Sequence, residues 1–464
     1  MNNKLFAFFL TIIAAAFLIS QCAAAENGCD YRPGTTLRFR AGSDFIRDQF
    51  GRVAIMRGVN MPAAYRDPFP YGEADLDAIE PFGYNLIRLP MSWRSLEPEE
   101  GDFRHEKLDD YKNFIRMAHS RGYYVMPDVH QVQWCASGMI PDWMCKEKSG
   151  HGILVDAIKR ETDRFWGSEE LQSKFAGLWK TLASELKGTP GLFAYDVINE
   201  PFSYGALSYG NFEKCCLYPF YRVVVATIRE IDPDTPVALE PPPVNVLLPA
   251  YTEKMPFDNL IWAPHSYYAH SYGEKGYSVD GKETPADARM KYRRFAKEAA
   301  GIEAPLLIGE FGMCGWQDYN FMPPWLEENM LMQERLFASS AVWDYGRSNY
   351  GWGILDDSGN PNPDKMPILH RPYPRYTAGA PERMQYNSTA KTFRYRYSAD
   401  DKIRAPTEIY VPPELFGGSP QIAVESECGA EWDYSAERKT LIIPSDCSGV
   451  VDVAVTAAAR MESD

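Results

Sequence analysis

Two stretches of the sequence end in a glutamate directly after an apolar run. Residues 192–198 are apolar apart from Asp196 and lead into Asn199-Glu200-Pro201, and residues 304–309 lead into Glu310. Short apolar runs bounded by Gly and Pro are typical of strands buried on both faces, and proline cannot continue a sheet ladder. One strand-end glutamate would be explained as a solvated strand end. Two of them indicate a carboxylate pair of the kind that hydrolyses glycosidic bonds.

The elements between and around these glutamates alternate between apolar strands and amphipathic helices. This alternation predicts an α/β fold, a closed (β/α)₈ TIM barrel, in which functional groups lie at the C-terminal ends of the strands. No Gly-rich dinucleotide fingerprint opens a helix, which argues against a nucleotide site. The strands are expected at 53–60, 84–90, 123–130, 192–198, 236–240, 259–265, 304–312 and 340–345, and the helices at 74–82, 106–120, 170–187, 217–231, 285–300 and 325–336.

The C-terminal quarter has a different pattern. After a proline-rich connector, residues with period-two alternation predict a small antiparallel β-sandwich. We therefore divide the chain into a signal peptide at 1–25, a catalytic barrel at 26–370 and a C-terminal β-sandwich domain at 371–464.

Nearly every expected barrel strand ends in a polar or aromatic residue, and these are the candidate substrate-binding residues. They are Arg88, Asp128, His130, Asn199, His265, Tyr267 and Trp343. In a barrel, strands four and seven face each other across the mouth, so a short separation between Glu200 and Glu310 is feasible. Retaining hydrolysis needs the two carboxyl groups about 5–5.5 Å apart, and a wider gap would indicate inversion.

The chemistry also constrains the surroundings of the pair. One glutamate must start protonated and the other ionised, so their environments must differ. We expect Arg88 to hold Glu310 ionised, and His265 with Tyr267 to orient that carboxylate or bind sugar hydroxyls. Trp343 would form a flat apolar platform for a sugar ring.

Each of these residues also has a purely structural interpretation. Arg88 could form a structural ion pair, His130 and His265 could be hydrogen-bonded interior histidines, and Trp343 could belong to the core. Glu240, at the end of the fifth strand, is expected to be structural because the catalytic pair is already supplied.

Composition and the N-terminus restrict the class of partner and the compartment. The net charge of −15 argues against nucleic acid and against electrostatic docking on an anionic membrane. Lys4, the apolar run 5–20 and Ala23-Ala24-Ala25 have the pattern of a signal peptide, so we expect a secreted or extracytoplasmic protein. Lipid attachment at Cys22 fits less well, because Gln21 precedes it.

Eight cysteines would remain after cleavage, and an even number in an exported chain favours disulfides. The local pairs Cys135–Cys145 and Cys428–Cys447 are the first candidates, and the adjacent Cys215 and Cys216 are expected to pair outward in two directions. None of the seven histidines has a Cys/His spacing typical of zinc. We therefore expect no metal and no cofactor.

The motifs match a known family in order. Arg88-Leu89-Pro90, His130, Asn199-Glu200-Pro201, His265 with Tyr267, Gly309-Glu310-Phe311-Gly312 and Trp343 resemble the signature of glycoside hydrolase family 5. The resemblance implies a retaining β-glycosidase with Glu200 as the acid/base and Glu310 as the nucleophile.

Within that family the chain looks most like endoglycoceramidases, which cut the β-linkage between an intact glycan and ceramide. Asp128-Val129-His130-Gln131, Asn199-Glu200-Pro201-Phe202, Ala238-Leu239-Glu240-Pro241 and the tail 407–412 carry this resemblance. The sequence departs after Gln131, where the family has an acidic residue and this chain has Val132-Gln133-Trp134-Cys135. That segment would lie beside the sugar subsites, so the glycan preference stays open, and a relative that prefers galactosylceramides is one alternative.

The expected partner is therefore a glycosphingolipid at a micelle or membrane surface, acted on by a monomer. The segment 321–325, Phe-Met-Pro-Pro-Trp, is a candidate lining of a ceramide channel, and the sandwich is a candidate for presenting the barrel to lipid. Two alternatives stay open. One is an endo-β-glucanase or mannanase with the same chemistry, and the other is a non-catalytic carbohydrate- or lipid-binding protein.

Overall fold

A computed structural model describes most of the chain, and its helices and strands are numbered here in chain order. The described residues are 31–32, 34–132, 134–146, 155–203, 211–268, 283–313, 322–346, 351–446 and 448–458. The α-helices are α1 Glu73–Ile79, α2 Trp93–Leu96, α3 His105–Ser120, α4 Val155–Trp166, α5 Glu169–Leu186, α6 Tyr218–Ile231, α7 Pro285–Ile302, α8 Met322–Leu336 and α9 Met366–Leu369. None of the described helices is long and apolar enough to cross a membrane.

Nine parallel strands form the barrel sheet, and their side chains are buried throughout, as the continuous apolar runs predict. They are β4 Arg57–Asn60, β5 Leu86–Met91, β6 Tyr124–Val129, β7 Tyr195–Asp196, β8 Val237–Leu239, β9 Leu260–Trp262, β10 His265–Tyr267, β11 Leu307–Gly312 and β12 Ser339–Val342. The strand β12 pairs with β4, so the last strand lies beside the first.

The strands β9 and β10 together make the sixth of eight barrel strands. Pro264, which has no N–H to donate, interrupts them. On the seventh-strand side the ladder continues across the break, because the Trp262 N–H donates to the Pro305 carbonyl (3.0 Å) and the Gly309 N–H donates to the Pro264 carbonyl (3.1 Å). The ring of strands is therefore closed, and the predicted (β/α)₈ barrel is confirmed.

An N-terminal hairpin covers the end of the barrel where the strands begin. It consists of β1 Phe39–Ala41 and β2 Ile46–Asp48. The ring of Phe39 packs edge-on against Tyr124 and Phe193 at the starts of barrel strands, with centroid distances of 4.8 and 5.3 Å. A site is therefore expected at the other end of the barrel, where the strands finish.

The predicted first strand, 53–60, is two strands in the structure. Only β4 belongs to the barrel, whereas β3 Val53–Ala54 pairs with β13 Tyr373–Thr377 of the C-terminal part. Strands from both ends of the chain thus form one seven-stranded antiparallel sheet, in the order β1-β2-β3-β13-β16-β19-β18. Its remaining members are β16 Thr407–Tyr410, β18 Asp433–Ser435 and β19 Thr440–Ile443.

A second, four-stranded antiparallel sheet packs on the first. It contains β14 Gly379–Asn387, β15 Thr392–Ala399, β17 Pro420–Ser426 and β20 Gly449–Ala457. The apolar side chains of the two sheets form one cluster that includes Phe393, Tyr395, Ile409 and Val453. The predicted C-terminal antiparallel sheets are confirmed. The division at residue 371 stays a prediction, since β1 to β3 pair with strands beyond it.

The sandwich contacts the barrel at the end opposite the strand C-termini. The Tyr373 and Tyr410 hydroxyls donate to the carbonyls of Gly83 (2.9 Å) and Pro81 (3.1 Å), in the turn just before β5. Gly83 has φ +69°, and a Cβ there would lie 2.1 Å from the Tyr410 ring, so only glycine fits. The sandwich therefore lies away from the mouth of the barrel.

The cysteine predictions had mixed outcomes. The Cys135–Cys145 disulfide is present, with its Cα atoms 6.0 Å apart. Cys215 and Cys216 are joined to each other, so the prediction that they pair outward is wrong; both lie in the turn Glu213–Leu217 that precedes α6. Cys428 is in a disulfide, whereas Cys447, the signal peptide 1–25, Cys22 and Phe321 lie outside the described residues.

Candidate active site

The two strand-end glutamates lie close together at the mouth of the barrel. Glu310 is in β11, and Glu200 follows β7 by four residues. One carboxylate oxygen of each, together with a ring nitrogen of His265, lies within 4.8 Å of the others. The Glu200 side chain is 19% exposed, whereas that of Glu310 is 5% exposed. The short separation that the barrel arrangement made feasible is therefore present.

Two donors fix the carboxylate of Glu310. The Tyr267 hydroxyl donates to Oε2 (2.5 Å), and Nη1 of Arg88 donates to Oε1 (2.6 Å). Because the guanidinium carries a full positive charge, its contact with Glu310 is a buried, charge-assisted hydrogen bond. Each oxygen thus has its own partner, and the carboxylate has a fixed orientation.

Glu200 is held through its backbone as well as its side chain. Its φ is +42°, a left-handed conformation that is costly for a non-glycine residue. The Glu200 N–H donates to Oε2 of Glu240 (2.7 Å). The Gln131 amide donates to the carbonyls of Asn199 (2.7 Å) and Glu200 (2.8 Å). These bonds fix the turn, while His265 Nδ1 lies 2.9 Å from Oε1 of the Glu200 side chain.

Arg88 is fully buried and contacts four carboxylates. Its Nε donates to Asp196 (2.8 Å), its Nη2 pairs with Asp128 (3.0 Å) and Glu240 (2.8 Å), and its Nη1 reaches Glu310. Only the planar fork of a guanidinium can serve so many acceptors at once. Arg88 is thus both a structural ion-pair partner and a direct neighbour of Glu310, which joins the two interpretations that the sequence left open.

The buried charges shift one another's proton affinities. Burial alone would raise the pKa of Glu240, but the charges of His265 and Arg88 outweigh it and lower the pKa to about 2. Burial alone would lower the pKa of His265, but Glu240 and Glu310 raise it well above its usual value. Asp196 behaves oppositely: burial and the Glu240 charge raise its pKa well above normal, despite Arg88.

The remaining predicted residues form another side of the mouth. His130 Nδ1 lies 2.6 Å from Oδ2 of Asp128, and the His130 ring stacks on Trp343 at 5.7 Å between centroids with a 10° tilt. Trp343 is half-buried, so part of its ring remains available to a ligand. Asn199 accepts from Arg88 Nη2 (3.0 Å) and donates to the Gln131 carbonyl (2.9 Å). All nine residues predicted from sequence therefore gather in one place.

Three residues with clear roles in this arrangement were missed or set aside. Asp196 was the only polar residue in its apolar strand, a signal that could have marked it. Glu240 was expected to be structural, yet it contacts Glu200, Arg88 and His265. Gln131 was noted only as part of the Asp128–Gln131 motif, and its role was missed because it depends on contacts with a turn about 70 residues away.

Among the residues that the structure describes, two groups of side chains have the chemistry of metal ligands. One is Glu200, His265 and Glu310, and the other is Asp128, Asp196 and Glu240. Arg88 contacts all three members of the second group, so its guanidinium already provides a cation there. The first group is the carboxylate pair with its histidine. The expectation of a metal-independent protein stays a prediction.

The aromatic segment proposed for a ceramide channel is at least partly core. Trp325 is buried and packs edge-on against Tyr268, with a centroid distance of 5.8 Å. Lys291 Nζ lies 5.5 Å from the centre of the Trp325 ring. Trp325 therefore stabilises the barrel and presents no surface to a ligand.

Comparison with known proteins identifies the family. The profile of Cellulase (glycosyl hydrolase family 5) matches residues 48–349, and that of the Glycoside hydrolase family 5 C-terminal domain matches residues 371–455. Endoglycoceramidase I of Rhodococcus hoagii (strain 103S) is 25% identical over 460 residues, covering 91% of this chain and 88% of that protein.

The structure of endo-glycoceramidase II from Rhodococcus sp. with ganglioside GM3 gives a TM-score of 0.78 at 26% identity, covering 90% of this chain and all of that one. A crystal structure of endogalactoceramidase gives a TM-score of 0.68 at 19% identity, covering 91% of this chain and 100% of that one, which shows a shared fold. The chain belongs to glycoside hydrolase family 5 and is a glycoside hydrolase related to endoglycoceramidases.

Proposed function

We propose that this protein is an exported retaining β-glycosidase that cleaves the bond between the intact glycan and the ceramide of glycosphingolipids. Endoglycoceramidases among its relatives, similar over most of their length, support the substrate class. The Cys135–Cys145 disulfide supports an oxidising compartment outside the cytosol. A secreted or extracytoplasmic location also agrees with the N-terminal sequence.

The observation that carries the mechanism is the short distance between Glu200 and Glu310. Carboxylate oxygens within 4.8 Å of each other leave no space for the attacking water molecule that an inverting enzyme holds between its general base and the anomeric carbon. Glu310, held by Arg88 and Tyr267, is the nucleophile. Glu200, the more exposed of the two, is the acid/base.

The reaction then follows in two balanced steps. A Glu310 oxygen bonds to the anomeric carbon while the bond to the ceramide oxygen breaks, and Glu200 gives its proton to that oxygen. Glu200, now ionised, takes a proton from water, whose oxygen bonds to the anomeric carbon and releases Glu310. The glycan leaves with its original anomeric configuration.

Product analysis tests this proposal. The mature protein is incubated with lactosylceramide or a ganglioside and, separately, with a β-glucan, and the products are identified by mass. We expect free ceramide plus the intact oligosaccharide, and none of either with Glu310→Gln. Glucan fragments beside untouched glycolipid would select an endo-β-glucanase or mannanase instead, and turnover of neither would favour a binding protein. Formation of the opposite anomer, followed by NMR, would contradict the retaining mechanism.

We also propose a preference for galactosylceramides, set by the segment after Gln131. The family's acidic residue is missing there, and the backbone is tied back because the Trp134 N–H donates to the Gln131 side chain (3.0 Å). The same Gln131 side chain donates to the Glu200 carbonyl, so the segment begins next to the proposed acid/base. The ratio of kcat/KM for galactosylceramide over lactosylceramide tests it, and a ratio below one would reject this preference.

A further inference from the structure

The loop that follows β8 exposes apolar side chains. Residues 241–252 contain no charged residue, and Asn245 is the only polar residue in 241–250. Val244 and Leu248 are 36% and 42% exposed, and Pro249 is exposed as well. A single exposed aliphatic residue needs no explanation, but three within six residues form a continuous apolar tip.

Helix α7 holds this loop rigidly from behind. The Asn245 amide donates to Glu298 (3.0 Å) and to the Leu248 carbonyl (3.1 Å), and the Ala250 N–H also donates to Glu298 (2.8 Å). Arg294 donates to the Leu247 carbonyl (3.0 Å). The polar groups of the loop are thus directed inward, and the apolar tip cannot turn away from solvent without breaking these bonds.

The base of the loop adjoins the proposed acid/base. Pro241 to Pro243 and Val246 line a small recess together with Glu200 and His265. In the proposed mechanism Glu200 protonates the departing oxygen, so the lipid part of the substrate leaves on this side. Val244 and Leu248 do not line the recess; they lie on the outer side of the same loop.

Exposed apolar residues concentrate at this end of the molecule. In the part of the chain that the structure describes, the large apolar side chains with substantial exposure are Val132, Val223, Val244, Leu248, Met290 and Trp432. The first five lie in loops or early helical turns that follow barrel strands three to six, on the catalytic end. The sixth is in the sandwich, which contacts the opposite end.

We propose that the segment 243–249 is the element by which this protein docks on a neutral or zwitterionic lipid surface, beside the place where the ceramide leaves. The proposal rests on the proposed function. The absence of cations in the loop and the net charge of −15 match a surface without negative charge. Docking is therefore hydrophobic, insensitive to salt and not improved by anionic lipids.

Flotation of the full chain with vesicles tests this surface without any turnover. We expect binding to phosphatidylcholine vesicles at low and high salt, with no gain when phosphatidylserine is added. The double variant Val244→Asp with Leu248→Asp should bind at least about tenfold less, and Trp432→Asp, the matched control in the sandwich, should bind like the parent protein. The double variant Val244→Ser with Leu248→Ser adds no charge, and it should also bind vesicles less than the parent, but by a smaller factor than the aspartate variant.

Activity separates docking from chemistry. With a soluble aryl lactoside the double variant should keep its rate, whereas with glycolipid in vesicles its rate should fall about tenfold. Equal vesicle binding by the parent and the variant, or no binding by the parent, would overturn the docking surface. So would an equal loss on the soluble substrate, or a change in oligomeric state that assigns the loop to a second copy of the chain. If the proposed function is wrong, the parent protein will not cleave glycolipid even in detergent, while its binding to vesicles can still be measured. That result differs from failure of the docking surface.

Discussion

Replacing Glu240 by glutamine removes a charge on which several groups of the site depend. One oxygen of Glu240 accepts from the Glu200 N–H (2.7 Å) and lies 3.3 Å from His265, and the other accepts from Arg88 (2.8 Å). Glutamine has the same shape but only one acceptor atom. Its NH₂ group must therefore face a donor, at either Glu200 or Arg88.

The expected loss of stability has two sources, the missing charge of Glu240 and the donor that is left without an acceptor. The difference between the ordinary pKa of 4.5 and a folded-state pKa of about 2 corresponds to about 3 kcal/mol of folding free energy at neutral pH. This stability is present above pH 4.5 and is lost as the pH falls toward 2. Breaking a buried ion pair on one side costs about 3–5 kcal/mol, so we expect Glu240→Gln to lower the free energy of unfolding by about that much at pH 7.

Catalysis should fall as well, since the variant loses the acceptor either for the Glu200 N–H or for Arg88, and both residues position the catalytic pair. A misplaced catalytic group costs about 10²-fold in rate, and we expect a loss in kcat of about that size with KM little changed. The pKa of His265 should fall toward its ordinary value, because Glu240 is the strongest of the charges that raise it. The proton on His265 would then be lost at lower pH, and the alkaline limb of the pH–rate profile should shift down.

Urea unfolding at pH 7 and at pH 3, with pH–rate profiles, measures these effects. Glu170→Gln is the matched control, the same change on a side chain that is 76% exposed, with an expected effect within about 0.5 kcal/mol. The difference in the free energy of unfolding between the parent and Glu240→Gln should be smaller at pH 3 than at pH 7. A variant as stable as the control at pH 7, with unchanged kcat, would refute the role assigned to Glu240.

Three further predictions concern single residues. Asp196→Asn should retain activity, because burial and the Glu240 charge raise the pKa of this carboxyl, so its negative charge is unfavourable in the folded state and an amide of the same shape carries none. The free energy of unfolding of the variant relative to the parent should therefore increase as the pH rises, and a hundredfold loss of kcat would contradict this prediction. Burial lowers the pKa of His370 from 6.5 to about 4, so the free energy of unfolding of the parent should fall by up to about 3 kcal/mol as the pH falls from 6.5 to 4. In urea unfolding, His370→Gln should remove that pH dependence. An unchanged dependence of stability on pH would argue against this role of His370. Gln131→Glu should lower kcat about tenfold or more with little change in KM, because a carboxylate would face the carbonyls of Asn199 and Glu200; full activity would show that the turn does not need this side chain.

The barrel was predictable because period and length suffice to distinguish buried parallel strands from amphipathic helices. The errors lie where a strand changes partners or breaks. Val53 and Arg57 belong to one apolar run in the sequence, yet they pair in different sheets, because Val53 pairs with Thr377 in the sandwich and Arg57 pairs with Ser340 in the barrel. Such long-range pairing leaves no local pattern. Pro264 could have predicted the break in the sixth strand, because it cannot donate to the ladder.

The site was predictable for a topological reason. Parallel strands in a barrel bring all their C-terminal ends to one mouth, so a list of strand-end residues is already a list of neighbours. Which of these residues contact one another was harder to predict. Arg88 was paired with Glu310 in advance, but its contacts with Asp196 and Glu240 depend on side-chain direction below the mouth, which spacing alone does not give.

The charges of the site remain balanced while the proposed reaction proceeds. In the first step Glu310 loses its negative charge to the glycosyl bond as Glu200 gains one by giving up its proton, so the total charge of the pair is unchanged. His265 Nδ1 lies 2.9 Å from a Glu200 oxygen and 3.5 Å from a Glu310 oxygen. A protonated His265 therefore faces the negative charge on either carboxylate and needs no reorganisation when that charge moves. Among the charges that raise the pKa of His265, Glu240 contributes the most and Glu310 comes next, and Glu240 takes no part in bond making. This explains why a third glutamate belongs to a site whose chemistry uses two.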